Sequence, residues 1–156
     1  MIEVVSNSPL ETADFGKLIA KYINAPCVIA LHGTLGSGKT NFTKGIACGL
    51  GIIDTLTSPT YTIINEYERD GGKEGSSLLY HIDAYRLKDE NDFENVGGME
   101  IINSECICII EWSDRIINLI PKEAITVTLD ISGPSSRVIK ISGLTSFIES
   151  EIRNLI

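Results

Sequence analysis

The chain has 156 residues and a formal charge of −8, from 13 Lys and Arg against 21 Asp and Glu. Hydrophobic residues make up 43% and charged residues 22%, which excludes a disordered chain and fits one soluble domain that buries most of its apolar surface. A protein that grips nucleic acid by counterion release needs clustered Lys and Arg, so autonomous RNA or DNA binding is excluded and any such contact falls to a partner.

The N-terminus, Met1-Ile2-Glu3-Val4-Val5, lacks a basic region followed by a long apolar core, and no apolar run approaches membrane-spanning length; a cytoplasmic location is expected. Cys27, Cys48, Cys106 and Cys108 have neither zinc-ribbon nor disulfide-framework spacing and read as buried reduced thiols, Cys106 and Cys108 sharing one face of a strand.

Ile2–Val5 reads as a first strand. Ser8-Pro9-Leu10-Glu11 opens a helix, with Ser8 as N-cap, Pro9 at the first helical position and Glu11 at the capping-box position; Phe15, Leu18, Ile19 and Tyr22 recur at helical spacing. An apolar strand follows over Cys27–Leu31, then a helix over Asn41–Leu50 with Gly49 and Gly51 as stops. Thr62–Glu68 and Leu78–Asp83 predict two strands of a hairpin, joined by the polar Gly/Ser-rich loop 69–77. Asp89–Val96 reads as a short helix with acidic residues in its first turn, and Ile107–Ile110 as a buried parallel strand closed by Glu111. A helix over Ser113–Leu119 precedes Pro121. Ile125–Ile131 and Arg137–Ile141 form a second hairpin through residues 132–136, and Thr145–Ile156 a terminal helix. Strands alternating with helices, with antiparallel hairpins appended, give a single three-layer α/β domain with a mixed sheet, and no repeat or linker divides it.

Residues 33–40 read Gly33-Thr34-Leu35-Gly36-Ser37-Gly38-Lys39-Thr40, a complete Walker A loop between an apolar strand and a helix. Its glycines let backbone N–H groups turn inward around phosphate oxygens where a side chain would block the approach. The helix start adds orphan N–H donors and the positive end of its dipole. Lys39 is placed to reach the β- and γ-phosphates, and Thr40 to ligate Mg²⁺. The chain therefore reads as a P-loop NTPase fold, with a mainly parallel sheet at its centre, that binds a nucleoside triphosphate with Mg²⁺.

Phosphoryl chemistry also needs a metal-handling carboxylate and a group that orients the nucleophile. Glu111 and Asp83 both end apolar strands, and in open α/β sheets the ligand site lies beyond the strands' carboxyl ends. Thr57-Ser58-Pro59-Thr60-Tyr61-Thr62 gathers hydroxyls around a proline, as a switch-like loop does. Arg86 is a candidate for phosphate charge or for pairing with the acidic stretch after it, and Trp112 reads as a packing anchor.

The Walker A loop, Ser58-Pro59-Thr60-Tyr61-Thr62, His81-x-Asp83-x-Tyr85-Arg86-Leu87 and Ile110-Glu111-Trp112, in this order and spacing, resemble the TsaE (YjeE) family over nearly the whole chain. These are small bacterial P-loop ATPases that act in making threonylcarbamoyladenosine in tRNA. The resemblance implies Gly33, Leu35, Gly36, Ser37, Gly38, Lys39, Thr40 and Asn41 as ATP contacts, Thr40 and Glu111 as Mg²⁺ ligands, and Thr60 as the switch-like threonine. It implies that Asp83 serves hydrolysis together with Lys39 and Thr60, and that Thr12 and Arg137 supply further nucleotide contacts. It also implies a TsaB–TsaD heterodimer as partner. TsaD would transfer the threonylcarbamoyl group to adenosine 37 of tRNAs reading ANN codons, ATP hydrolysis by the small subunit would reset or regulate that complex, and tRNA would be met only through the partners.

Three positions and one stretch depart from the family pattern: Thr34 where an acidic residue is frequent, Ala84 for Leu, Asp114 for Glu, and the loosely matching Val96-Gly97-Gly98-Met99-Glu100. Competing readings are a small-molecule kinase, which needs an Arg-bearing lid, and an ATP-gated binding module with negligible turnover. A GTPase switch is discounted, because no Asn-Lys-x-Asp motif occurs and Asp130-Ile131-Ser132-Gly133 lies in the late hairpin.

Overall fold

A strand with four successive apolar residues belongs with both faces covered, and Ile107–Glu111, apolar up to its final carboxylate, is buried throughout in the computed structural model, which describes residues 1–52, 56–69 and 77–156. Among the described residues seven strands form one sheet in the order β1-β7-β6-β2-β5-β4-β3. They are β1 Ile2–Ser6, β2 Cys27–His32, β3 Ile64–Glu68, β4 Leu78–Asp83, β5 Ile107–Glu111, β6 Ile125–Ile131 and β7 Arg137–Ser142. β2 runs parallel to β5 and β6, and β4 parallel to β5; the β3–β4, β6–β7 and β1–β7 pairs are antiparallel. The expected mixed sheet with a parallel centre and flanking hairpins is the observed one. The tip of the first hairpin, residues 70–76, lies outside the described residues.

The helices are α1 Pro9–Ala20, α2 Lys39–Gly49, α3 Glu90–Asn95, α4 Gly98–Ile102 and α5 Ser146–Arg153. Two apolar cores separate the layers. Ile107 and Ile109 of β5 join Phe15 and Ile19 of α1, Phe42 and Ile46 of α2 and Ile152 of α5 on one side; Cys108 and Ile110 join Phe93 of α3 and Ile102 of α4 on the other. Ser8 caps α1 by accepting from the Glu11 N–H, while the Glu11 carboxylate reaches past the cap to the Asn7 N–H, a capping box shifted by one residue.

The phosphate-loop helix is fixed by a seam of small residues. A Cβ on Gly45 of α2 would lie 1.9 Å from the Ala13 carbonyl oxygen of α1, and one on Gly16 would lie 2.3 Å from the Phe42 oxygen. Both clashes are with backbone, so neither helix can give way without moving the other. Gly45→Ala should therefore cost about 2–3 kcal/mol and lower the melting temperature by ~5–10 °C in a thermal scan; an unchanged melting temperature would mean the helices are free to separate.

Several local expectations need correction. β3 begins at Ile64 and not at Thr62, because residues 60–62 stay in a turn and Ile63 takes a left-handed φ of +69°, its N–H bonded to the Pro59 carbonyl. Ser113–Leu119 is a 3₁₀ segment broken at Ile116 (φ −129°) and not an α-helix. α4 carries no strong periodic signal and escapes the sequence reading. The terminal helix ends at Arg153. Of the four thiols, Cys106 and Cys108 are buried and Cys27 is half-buried, but Cys48 is exposed on α2. Burial pushes the Cys27 thiol up to about 11 and raises Cys108 well above its ordinary value, which keeps both protonated and inert.

A candidate nucleotide-binding site

At the carboxyl edge of the parallel centre the register aligns Leu31, Glu111 and Asp83 on the adjacent strands β2, β5 and β4. The chain leaving β2 becomes the loop 33–38, which hands over to α2. Gly33, Gly36 and Gly38 take φ of +144°, +76° and +101°, all in the left-handed region that favours glycine. Gly33 must also be small, since a Cβ there would meet both the Leu129 carbonyl oxygen and Ser37 Oγ at 2.5 Å. Gly38 is the N-cap of α2 and supplies no side-chain acceptor, so the orphan amides of the helix's first turn stay available for an anion.

An open cavity of about 260 Å³ lies above this loop, lined by Leu35, Gly36, Gly38, Lys39, Thr40, Asn41, Ser58, Thr60, Asp83, Glu111 and Trp112. The structure thus gathers most of the predicted residues in one place. Thr40 Oγ1 donates to Glu111 at 3.0 Å (Oε1) and 3.1 Å (Oε2), joining the start of α2 to the end of β5. Thr60 Oγ1 donates to Asp83 Oδ2 at 3.2 Å and accepts from Ser58 Oγ at 2.7 Å. The Tyr85 N–H donates to Asp83 Oδ1 at 2.9 Å. Asp83 is therefore held from two sides, and the Thr57–Thr62 loop is tied to the strand end.

Lys39 is buried, and its Nζ donates to the carbonyls of Gly33 (2.7 Å) and Thr34 (3.0 Å) while lying 3.9 Å from the centre of the Trp112 ring. Burial pulls its pKa below the ordinary lysine value; Glu111, Asp83 and Asp114 oppose that and favour the charged form. Thr40 and Glu111 offer hard oxygens in contact, the donor set that suits Mg²⁺, which takes one or two protein ligands and fills its remaining positions with phosphate and water. Among the described residues no group of three or more His, Cys, Asp or Glu gathers in metal-binding geometry.

Three predicted residues sit behind the loop. Ser37 is buried, with Oγ turned toward Gly33. Thr12 is buried under Gly38, its hydroxyl 2.8 Å from Ser6 Oγ and 3.2 Å from the Ser8 carbonyl. Arg137 braces the loop: Nε donates to the Ser37 carbonyl at 3.0 Å and one terminal nitrogen to the Gly36 carbonyl at 2.9 Å, while the other bonds Gly133 and Ser136. Its donors are engaged with backbone oxygens and not turned into the cavity. Arg86 lies over the Tyr61 ring at 4.5 Å, outside the cavity.

Two residues of the site were missed. Trp112 is more than a packing anchor: it adopts a left-handed φ of +59°, turns its ring to Lys39 and packs at a tilt of 47° against Tyr85, ring centres 4.9 Å apart. Its place directly after a strand-ending carboxylate was the available signal. His81 is fully buried with Nε2 2.8 Å from Glu111 Oε1, and the signal was one polar residue inside the apolar run Leu78–Ile82.

Comparison with known proteins agrees with this geometry. The family model described as "Threonylcarbamoyl adenosine biosynthesis protein TsaE" matches residues 6–139. The chain is 36% identical over 138 residues to the tRNA threonylcarbamoyladenosine biosynthesis protein TsaE of Treponema pallidum, covering 88% of this chain and 98% of the relative. It is 38% identical over 137 residues to the Bacillus subtilis TsaE, covering 88% and 82% of the two chains. The crystal structure of Bacillus subtilis YdiB superposes with a TM-score of 0.75 at 31% identity, over 99% of this chain and 93% of that one. With the family model matching most of its length and relatives more than 30% identical, the chain belongs to the TsaE family of threonylcarbamoyladenosine biosynthesis proteins.

Proposed function

We propose that this protein binds ATP with Mg²⁺ in the loop Gly33–Thr40 and hydrolyses it in the cytoplasm to support a TsaB–TsaD complex that forms threonylcarbamoyladenosine in tRNAs reading ANN codons. The observation that carries the reading is the Thr40–Glu111 contact beside the glycine cradle and Lys39. It brings the glycine loop, the Lys39 ammonium and two hard oxygen donors to one cavity, which supports a seat for a triphosphate and its cation.

In this reading Lys39 leaves the Gly33 and Thr34 carbonyls for the β- and γ-phosphates, while amides of the first turn of α2 receive phosphate oxygens. Thr40 and Glu111 would hold Mg²⁺, which when bound would supply charge neutralisation on the phosphates. Thr60 and Ser58 form the side of the site that responds to the γ-phosphate, because their hydrogen bonds to Asp83 and to each other fix the loop. Asp83 orients the attacking water through acceptor capacity not used by Thr60 and the Tyr85 N–H. The net charge of −8 fits a subunit that leaves tRNA contact to its partners.

Reconstituted tRNA modification with purified TsaB, TsaD, tRNA, a preformed activated threonylcarbamoyl donor and ATP tests the assignment. Many turnovers should require both this protein and hydrolysable ATP; full turnover without it, or with a non-hydrolysable analogue, contradicts it. Asp83→Asn should keep ATP affinity and slow hydrolysis by roughly 100-fold, the scale of a lost acid–base or water-orienting group. Weakened binding with unchanged turnover per bound ATP would move Asp83 from hydrolysis to binding.

A further inference from the structure

β4 is apolar from Leu78 to Ile82 except at His81, which has no exposed surface. A histidine kept for packing would have both ring nitrogens satisfied or give way to a hydrocarbon side chain. Among the described residues Nδ1 is buried with no partner, and the one hydrogen bond the ring makes runs from Nε2 to Glu111 Oε1 at 2.8 Å. The carboxylate only accepts, so Nε2 is the nitrogen that donates to Glu111.

Resting on the metal reading of Glu111, we infer that His81 is a positioning residue: it clamps the Glu111 carboxylate so that the Glu111 and Thr40 oxygens are set for Mg²⁺ before the cation arrives. The strand register makes the clamp possible. His81 lies beside Ile109, two residues below the Asp83–Glu111 pair on the same face of the sheet, so its ring reaches upward to a side chain on the neighbouring strand. Oε1 then accepts from His81 and, at 3.0 Å, from Thr40, whereas Oε2 accepts from Thr40 alone at 3.1 Å. One donor from below and one from the side remove the rotational freedom of the carboxylate and leave Oε2 the less engaged oxygen. Without the clamp the carboxylate can turn, and the ordering that His81 supplies in advance must be supplied by the cation.

The test is metal affinity measured apart from turnover. Mn²⁺ binding to the ADP complex is followed by electron paramagnetic resonance, and ADP binding in EDTA is measured separately. His81→Leu removes the donor and should raise the Mn²⁺ concentration for half-saturation roughly 10-fold or more, the scale on which groups supporting a metal ligand act. ADP affinity in EDTA should be unchanged. His81→Gln, whose amide nitrogen reaches where Nε2 lies, should restore most of the metal affinity, and His81→Asn, too short to reach, should not. Wild-type metal affinity in His81→Leu, equal losses in the Gln and Asn variants, or an equal loss of ADP affinity in EDTA would each overturn the inference. If His81→Leu does not fold, the Gln–Asn comparison decides. Glu111→Gln is run alongside: if it holds Mn²⁺ as wild type does, the metal reading of Glu111 fails, whereas a loss there with none in the His81 variants sinks the clamp alone.

Discussion

Lys39→Ala should lower the affinity for ATP by about 100-fold or more, because in the proposed site Lys39 would bring charge-assisted hydrogen bonds to the phosphates worth ~1.5–3 kcal/mol each, and 1.4 kcal/mol is tenfold in affinity. The effect has a second source. Lys39 is the cation of a cavity that also holds Glu111 and Asp83, and all three side chains are buried. Without it those carboxylates face an incoming triphosphate unopposed, in surroundings where charges are poorly screened. The variant also frees the Gly33 and Thr34 carbonyls and the Trp112 ring, so a modest fall in melting temperature accompanies the loss. Isothermal titration with ATP and Mg²⁺ reads the main effect. Unchanged affinity would mean that the triphosphate binds elsewhere.

Glu111→Gln gives the second large effect. Glutamine keeps the shape of the side chain and an oxygen to accept from the His81 Nε2–H, so the buried ring is not abandoned as it would be by alanine. What it removes is the charge that would hold the cation beside Thr40. Mg²⁺ should then cease to strengthen ATP binding, and hydrolysis should fall by roughly 100-fold or more, the loss of a few kcal/mol of charge stabilisation. ATP titrations with Mg²⁺ and with EDTA, read against single-turnover hydrolysis, separate the two consequences. A variant that still couples Mg²⁺ to ATP would move the cation to another carboxylate, with Asp83 the nearest in register.

The legible parts of the site were those encoded in short spacing. Eight consecutive residues specify the loop, and their φ angles at Gly33, Gly36 and Gly38 follow from the need for inward-turned amides. The strand ends were legible as well: an acidic residue that closes an apolar run often just leaves for solvent, but beside a phosphate loop Asp83 and Glu111 stood out, and the register sets them side by side. What stayed hidden depends on contacts between residues far apart in the chain. Whether Ser113–Leu119 winds as α or 3₁₀ is settled by how Ile116 and Ser113 are buried, with Ser113 Oγ bonded to the Leu31 carbonyl across the sheet. Thr60 reaches Asp83 only because Ile63 takes a strained left-handed turn that no local propensity favours. Arg137 sits on the expected hairpin, yet the donors of a guanidinium go wherever carbonyls converge, and here those are the carbonyls at the back of the loop.

The most direct test of the account is a crystal structure of the protein with Mg²⁺ and a non-hydrolysable ATP analogue. The account predicts phosphate oxygens on the amides of residues 36–41, Lys39 Nζ moved from the Gly33 and Thr34 carbonyls to the β- and γ-phosphates, and Mg²⁺ touching Thr40 Oγ1 with Glu111 beside it. A nucleotide seated outside this loop, or a metal held with Glu111 turned away, would contradict it.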